Sequence, residues 1–185
     1  SYALGPRGYV LGLGSTGPGL VDFVSPTLLP LPAAPPSTPF SFANTMAYDS
    51  LRNRLLVSSF GGGGVLYSGS AATLQWSELA NPNVDAPSAL AYHPGLDALF
   101  GLRIDPFAPQ PYVLHRYDVS GQIVQSLPLA LPMVDYYGEP QQLLPLGNRL
   151  AYVGPGRAKL GLTVRHCFVI DPTTGDIDSA GVLLQ

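Results

Sequence analysis

The chain has 185 residues, of which 46% are hydrophobic and only 11% are charged, and its net charge at pH 7 is −3. That length suits one ordinary domain with its own core, and the low charge excludes a chain kept disordered by charge repulsion. Nine basic residues without a basic stripe exclude an electrostatic footprint for nucleic acid. The 21 glycines and 20 prolines disfavour long helices, and no apolar run reaches the roughly 20 residues of a membrane helix. We therefore predict an all-β protein without membrane insertion.

Residues 1–29 predict degenerate strands or a partial structural unit. The segment GYVLGLG is strand-like, STGPG is turn-like, LVDFV suits a partner strand and TLLPL a weak third strand. The letters GLGSTG match G-x-G-x-x-G, the pattern of a dinucleotide-binding loop. Such a loop needs a helix after the glycines and an acidic residue about 20 positions further on, and this sequence predicts neither. We interpret these glycines as part of a hairpin between two strands.

Residues 30–40 predict an extended connector. Proline is concentrated here, at Pro30, Pro32, Pro35, Pro36 and Pro39. A proline-rich segment favours a polyproline-like conformation that spaces two folded parts or crosses the surface.

A repeat begins after this connector. TMAYDSLRNRLLV (45–57) matches ALAYHPGLDALFG (89–101) without a gap at a shift of 44 residues, and Asn53 corresponds to Asp97. QLLPLGNRLAYV (142–153) is a looser third copy with a shorter turn. Each copy predicts a strand, a polar turn and a second strand.

Two of the copies are followed by a second shared feature. RYDVSGQIV (116–124) and FVIDPTTGDI (168–177) both contain an apolar run, an aspartate, a turn ending in glycine and further apolar residues. Such a turn suits a hairpin, because the carboxylate bonds nearby backbone N–H groups and glycine adopts positive φ. The first copy keeps a degraded version, VLYSGSAATLQW. In the second unit we predict strands near 87–93, 98–104, 111–118 and 122–129.

AYHPGLDALFG and FVIDPTTGDI resemble blades of the β-propeller superfamily that includes the YVTN, NHL and WD40-like repeats. The resemblance covers residues 41–185, with repeats at 41–80, 86–129 and 141–185, and it implies a fold rather than an activity. It implies an array of about three and a half to four four-stranded antiparallel blades, near the lower limit of a propeller. The alternative fold is a β-sandwich or jelly roll, which has the same strand and turn composition but does not require the self-match.

The resemblance also implies where a ligand binds. Loops between the second and third strands share one face with the connections between blades, and LPMVDYYGEPQ (131–141) is the connection richest in functional groups. Aromatic faces beside acids suit sugar or peptide recognition, although the two tyrosines also suit packing against a neighbouring blade. The ligand-binding candidates on this face are Asp135, Tyr136, Tyr137, Glu139, Asp105 and Arg157.

No catalytic residue is predicted. Cys167 is the only cysteine, which excludes an internal disulfide and a C-x-x-C site, and His166 beside it points to the opposite face of a strand. His93 suits a turn, and His115 has no partner suggested by the sequence. No cofactor is predicted; the sequence lacks a D-x-[DN]-x-[DN]-G run, yet oxygen ligands from several loops leave a Ca²⁺ site open.

The sequence thus predicts a non-enzymatic, propeller-like binding or assembly module, either part of a larger ring or part of an exported complex. An incomplete ring exposes sheet edges and apolar faces, so the predicted partner is another protein chain or another copy of this one. The low charge and the Pro/Gly-rich loops predict an extracellular, cell-surface or periplasmic location. The alternative function is a propeller-type enzyme, such as a metal-dependent lactonase or lyase, which would need acidic side chains at its centre.

Overall fold

The computed structural model describes residues 2–3, 9–14, 17–22, 27–30, 43–59, 65–73, 75–79, 87–105, 107–131, 141–155 and 164–184, which form four four-stranded antiparallel sheets. The first sheet contains β1 (Tyr2–Ala3), β2 (Tyr9–Gly14), β3 (Gly17–Asp22) and β4 (Thr27–Pro30). The second contains β5 (Ala43–Asp49), β6 (Arg54–Ser59), β7 (Val65–Ser70) and β8 (Trp76–Glu78). The third contains β9 (Ala89–His93), β10 (Ala98–Ile104), β11 (Tyr112–Tyr117) and β12 (Ile123–Pro128). The fourth contains β13 (Gln142–Leu146), β14 (Arg149–Pro155), β15 (Val164–Ile170) and β16 (Ile177–Leu184).

The prediction of an all-β chain with four-stranded antiparallel units is confirmed. Every sheet is a meander in which each strand pairs with the next one along the chain. The four strands predicted for the second repeat lie within about two residues of their observed ends. The described residues also contain a short 3₁₀ helix, Pro94–Leu96. No helix in the described ranges could span a membrane.

The glycines that resemble a dinucleotide loop lie in a hairpin, as predicted. Strands β2 and β3 pair antiparallel, with Gly12 opposite Gly19 and Gly14 opposite Gly17. A dinucleotide-binding loop connects a strand to a helix, whereas these glycines connect two strands. Of the connector at 30–40, only Pro30 belongs to the described residues, so its conformation stays a prediction.

The sheets meet along their first strands. β1 contacts β5, β5 contacts β9, and β9 contacts β13. Between β5 and β9 the contact includes a hydrogen bond, in which the backbone N–H of Leu90 donates to the hydroxyl of Thr45 at 3.0 Å. Consecutive sheets are therefore neighbours in space in the order of the chain.

Two apolar cores fill the spaces on either side of the third sheet. Side chains alternate between the faces of a strand, so the third sheet contributes one set of residues to each core. The core of the second-to-third interface consists of Ala47, Leu56, Leu66, Leu90, Tyr92, Leu99 and Tyr117. The core of the third-to-fourth interface consists of Ala89, Ala91, Ala98, Phe100, Leu102, Tyr112, Leu114, Leu129, Leu131, Leu143, Leu150, Tyr152, Phe168 and Ile170.

The turn between first and second strands is built the same way in the second and third sheets. The buried carboxylate of Asp49 accepts hydrogen bonds from the N–H groups of Leu51 and Arg52. In the next repeat the ring nitrogen Nδ1 of His93 accepts from Leu96 N–H at 3.2 Å. This confirms that His93 has a turn role, and it explains why such different residues occupy corresponding positions.

The turn between third and fourth strands follows the predicted aspartate pattern. Asp118 accepts from the N–H groups of Ser120 and Gln122, and Asp171 accepts from the N–H groups of Thr173 and Thr174. The glycines that end these turns, Gly121 and Gly175, have φ of 85° and 81°. In the degraded first copy, the hydroxyl of Ser70 accepts from Ala72 and Thr73 N–H instead.

Because the strands are antiparallel, the turns and loops that join them lie at two opposite edges of the sheets. The first-to-second and third-to-fourth turns lie at one edge, which we call the turn edge. The opposite, loop edge carries the start of each first strand and the β10–β11 loop at 105–111. Because the chain reverses direction at every connection, successive connections within a sheet alternate between the turn edge and the loop edge.

Candidate functional site

A shallow, open cleft with room for little more than a water molecule lies where the first strands of three sheets begin, at the loop edge. Strands β5, β9 and β13 each contribute to its walls. It is lined by Thr45, Met46, Leu90, Gln141, Gln142, Leu143 and Leu144. The cleft follows directly from the packing of the first strands against one another.

Backbone geometry fixes the walls of the cleft. The pairing of β5 with β6 shifts register between Ala43 and Thr45, and the hydroxyl of Thr45 accepts the hydrogen bond from Leu90 N–H. Thr45 is buried and Leu143 belongs to the core of the third-to-fourth interface. The walls are therefore held by core packing, as a preformed binding site requires.

The described residues of the lining carry uncharged polar groups. Gln141 is half-buried, and its Oε1 is buried without a hydrogen-bond partner in the part of the chain that the structure describes. A buried polar atom without a partner is costly, so it favours a ligand that supplies one. The described residues of the lining present amides, a hydroxyl and apolar groups. These groups suit an uncharged polar ligand.

Of the predicted ligand-binding residues, Asp105 lies in the described part of the chain. Its carboxylate accepts a hydrogen bond from Phe107 N–H at 3.0 Å, and its backbone N–H donates to the carbonyl of Pro111 at 2.9 Å. Asp105 therefore shapes the β10–β11 loop at the loop edge and holds the side chain of Phe107 91% exposed. In this structure its carboxylate stabilises a turn.

The other predicted ligand-binding residues lie outside the described residues. They are Asp135, Tyr136, Tyr137, Glu139 and Arg157. The connection that carries the first four joins β12 to β13 and so leads into the strand that lines the cleft. Their contribution to the site stays a prediction.

A polar network at the turn edge was not predicted from the sequence. Arg52, in the turn of the second sheet, donates two hydrogen bonds to the carboxylate of Asp97 in the third sheet, at 2.6 and 2.8 Å. The hydroxyl of Tyr92 donates to the same carboxylate at 2.7 Å. In the preceding repeat, Tyr48 donates to Asn53 in the same way. The signal was present in the alignment, since both members of each pair recur at a shift of 44 residues.

These contacts shift the pKa values of Asp97, Arg52 and Tyr92. The hydrogen bonds from Arg52, and then from Tyr92, hold the pKa of Asp97 well below its usual range. The same carboxylate raises the pKa of Arg52. Burial, and then the bond to Asp97, raises the pKa of Tyr92. The charged forms of the ion pair and the neutral form of the tyrosine are therefore favoured by folding.

Asp49 connects this network to the core. Its buried carboxylate bonds Arg52 at 3.2 Å and Arg54 at 2.8 Å, in addition to its turn contacts. Arg54 also donates to the backbone carbonyl of Val119 in the third sheet at 3.2 Å. The hydrogen bonds that this carboxylate accepts stabilise the turn and hold both arginines in place.

Histidine and cysteine residues form no reactive cluster in the described ranges. His115 Nδ1 lies 2.8 Å from the hydroxyl of Ser126, and Cys167 is half-buried. No group of three or more histidine, cysteine or acidic side chains that could hold a metal ion occurs among the residues described. The Ca²⁺ site that the sequence leaves open stays a prediction.

Comparisons with solved structures find similar chains, among them an allergen. No family model and no curated protein matches the chain. The crystal structure of the major Malassezia sympodialis allergen Mala s 1 is similar to 97% of this chain, with 14% sequence identity and a TM-score of 0.45. The match covers 54% of the allergen, so this chain spans about half of that protein's length.

Proposed function

We propose that this chain is a non-enzymatic binding or assembly module, built as a β-propeller-like array of four-stranded blades. One observation carries the proposal: β5, β9 and β13 lie side by side around a cleft, and the other strands of each sheet follow in chain order. Propeller blades are four-stranded meanders around a central channel, and this arrangement agrees with that architecture.

The packing favours this architecture over a β-sandwich. A sandwich has two facing layers, and its core lies between the inner faces of those two layers. Here the third sheet buries both of its faces, one against the second sheet and one against the fourth. A series of sheets that pack one after another is what a propeller-like array requires.

The chemistry of the cleft supports binding rather than catalysis. Its described lining presents the amides of Gln141 and Gln142 beside apolar side chains. Uncharged hydrogen-bonding groups beside apolar walls suit a single uncharged polar group that a ligand inserts from the surface, such as a peptide amide or a sugar hydroxyl. The enzyme alternative, a metal-dependent lactonase or lyase, would need carboxylates directed at this cleft. The partner predicted from the sequence, another chain or another copy, and the exported location remain part of the proposal.

A ligand screen tests this function. Short uncharged peptides and neutral oligosaccharides would be added to ¹⁵N-labelled protein, and amide shifts would be followed by NMR. We expect a ligand that shifts the amides of Thr45, Leu90 and Leu143. Gln141→Leu should weaken its binding at least tenfold, because it removes the hydrogen-bonding amide from the cleft.

The matched control is Gln122→Leu, an exposed glutamine in the third-to-fourth turn of the third sheet. It should bind as the unmodified chain does. The proposal fails if ligand shifts map to the turn edge instead. It also fails if the chain hydrolyses lactones or cleaves polysaccharides in a reaction that a chelator stops.

A further inference from the structure

Two polar side chains in the lining of the cleft have complementary hydrogen-bonding needs. The hydroxyl oxygen of Thr45 accepts the hydrogen bond from Leu90 N–H at 3.0 Å, which leaves the hydrogen of that hydroxyl to be donated. In the described part of the chain this hydrogen has no acceptor. The Oε1 atom of Gln141 is an acceptor that lacks a donor among the same residues. The two side chains therefore present one unused hydroxyl hydrogen and one unused acceptor oxygen to the same cleft.

Burial makes both groups costly to leave without a partner. The side chain of Thr45 is only 2% exposed, and the Oε1 atom of Gln141 is buried although that residue as a whole is half-buried. A buried donor or acceptor without a partner carries its full cost of desolvation. A ligand group that satisfies both atoms is therefore bound more tightly than a group that satisfies one of them.

A hydroxyl group matches this pair of needs with a single atom. Its oxygen accepts one hydrogen bond and donates another, so it can accept from Thr45 and donate to Gln141 at the same time. The cleft has room for little more than a water molecule, and a hydroxyl at the end of a single bond has that size. Size and hydrogen-bonding pattern thus lead to the same group.

A peptide group matches the pair less well. Its donor and its acceptor are different atoms, and in the planar trans form the N–H and the C=O point in opposite directions. Each of them is also flanked by a substituted carbon atom, which needs more room than a hydroxyl does. A peptide group in this cleft would satisfy either Thr45 or Gln141 and leave the other without a partner.

We propose that the cleft selects a hydroxyl group, so that its ligand is a neutral sugar or another polyol. The apolar residues of the lining, among them Met46 and Leu144, suit the C–H groups that lie beside a sugar hydroxyl. This inference rests on the binding role proposed above and names the chemical class of the ligand.

Two small probes test the selectivity directly. Methanol carries the hydroxyl alone, and N-methylacetamide carries the peptide group alone. Each would be titrated to about 1 M into the ¹⁵N-labelled full chain, because a ligand of so few atoms binds weakly. We expect methanol to give saturable shifts at the amides of Thr45, Leu90 and Gln141, and N-methylacetamide to bind there at least fivefold more weakly. The amide of Ser120 at the turn edge reports the general effect of the added solvent.

Variants of Gln141 test the acceptor. Gln141→Leu removes it and should weaken methanol binding about fivefold or more, the usual worth of a hydrogen bond. Gln141→Glu keeps the acceptor oxygens and removes the N–H₂ group, so it should bind methanol as the unmodified chain does. The control is Ser58→Ala, because Ser58 is 0% exposed and lies opposite Thr45 on β6 but outside the described lining of the cleft. It should leave methanol binding unchanged.

Equal binding of the two probes at the cleft would overturn the selectivity and leave the cleft as a binding site. Methanol that gives no saturable shifts at the cleft would overturn it as well. Unchanged binding in Gln141→Leu, or lost binding in Gln141→Glu, would contradict the role of Oε1. If Gln141→Leu does not fold, the comparison of the two probes in the unmodified chain decides. The proposed function fails by other results, namely ligand shifts at the turn edge or a reaction that a chelator stops.

Discussion

The two interfaces of the third sheet are built from the same repeat but are held together differently. The third-to-fourth interface is a large apolar core, and a polar link between its described residues runs from the side chain of Gln125 to the carbonyl of Thr173 at 3.3 Å. The second-to-third interface has a smaller apolar core and adds the Arg52–Asp97 ion pair. Burial of apolar area dominates the first, and charged hydrogen bonds supplement burial in the second.

One position in the repeat accounts for much of this difference. Arg52 lies in the turn of the second sheet and reaches across to the third sheet. The corresponding residue in the third sheet is Leu96, which packs against the core of the third-to-fourth interface. Arg149 of the fourth sheet corresponds to Arg54, but its ion pairs stay within its own sheet. A repeat can therefore keep its fold while exchanging a polar interface for an apolar one.

The largest expected effect comes from opening the apolar interface. Phe100→Ala removes a side chain that is 1% exposed at the centre of the third-to-fourth core. We expect a loss of about 3–5 kcal/mol in the free energy of unfolding, from lost burial and the cavity left behind. Urea denaturation measures it. The control is Phe107→Ala, the same change at a 91% exposed residue, which should stay within about 0.5 kcal/mol.

The next largest loss of stability is expected when the buried charge of the second-to-third interface is removed. Asp49→Asn keeps the shape and one acceptor for the turn, but it presents an amide N–H₂ to the guanidinium of Arg54. We expect a loss of about 2 kcal/mol, the usual worth of a hydrogen bond to a charged group. The same urea titration applies. A loss no larger than that of Asp118→Asn, an exposed turn aspartate of the same pattern, would contradict the special role of Asp49.

A smaller effect follows from the bond that joins two first strands. Thr45→Val keeps the shape of the side chain but removes the acceptor of the Leu90 N–H. The buried donor is then left unsatisfied, which should cost about 1–2 kcal/mol. In this variant, hydrogen exchange of the Leu90 amide should also be faster than in the unmodified chain. Unchanged exchange at Leu90 would show that the two strands are not joined by this bond.

Acid should weaken the second-to-third interface before the third-to-fourth one. The pKa of Asp97 is lowered in the folded state, so its contribution is present above the ordinary aspartate pKa of about 4 and is lost as pH falls further. In Asp97→Asn, stability should therefore fall less steeply between about pH 5 and pH 2. Thermal unfolding across this range measures the difference, and identical slopes for both proteins would argue against a stabilising ion pair.

The smallest effect is expected at the polar link between Gln125 and Thr173 in the third-to-fourth interface. Gln125→Ala removes an exposed hydrogen bond to Thr173, and the apolar core should hold the interface alone. The change in unfolding free energy should stay within about 0.5 kcal/mol. A loss near that of Asp49→Asn would mean that the two interfaces are less different than their contacts indicate.

Much of the fold could be predicted because turn chemistry is local. The aspartate turns at 118–122 and 171–175 and the strands of the third sheet follow from residues close together in the sequence. The cleft and the Arg52–Asp97 pair could not be predicted, because they join residues from different sheets. Asp105 is predicted to bind a ligand from its loop position; its carboxylate also accepts a hydrogen bond from Phe107 N–H, as loop aspartates often do, and its binding role stays a prediction. Asp135, Tyr136, Tyr137, Glu139 and Arg157 stay predictions.

The most direct test of the account concerns the neighbours of β9. In a propeller-like array β9 lies between two other first strands, whereas in two stacked layers it would face strands from across a sheet. Nuclear Overhauser effects in a methyl-labelled sample would decide between the two. We predict effects from Leu90 to Thr45 on one side and from Ala91 to Leu143 on the other. Effects that place β9 beside only one first strand, or against the outer strand of another sheet, would contradict the account.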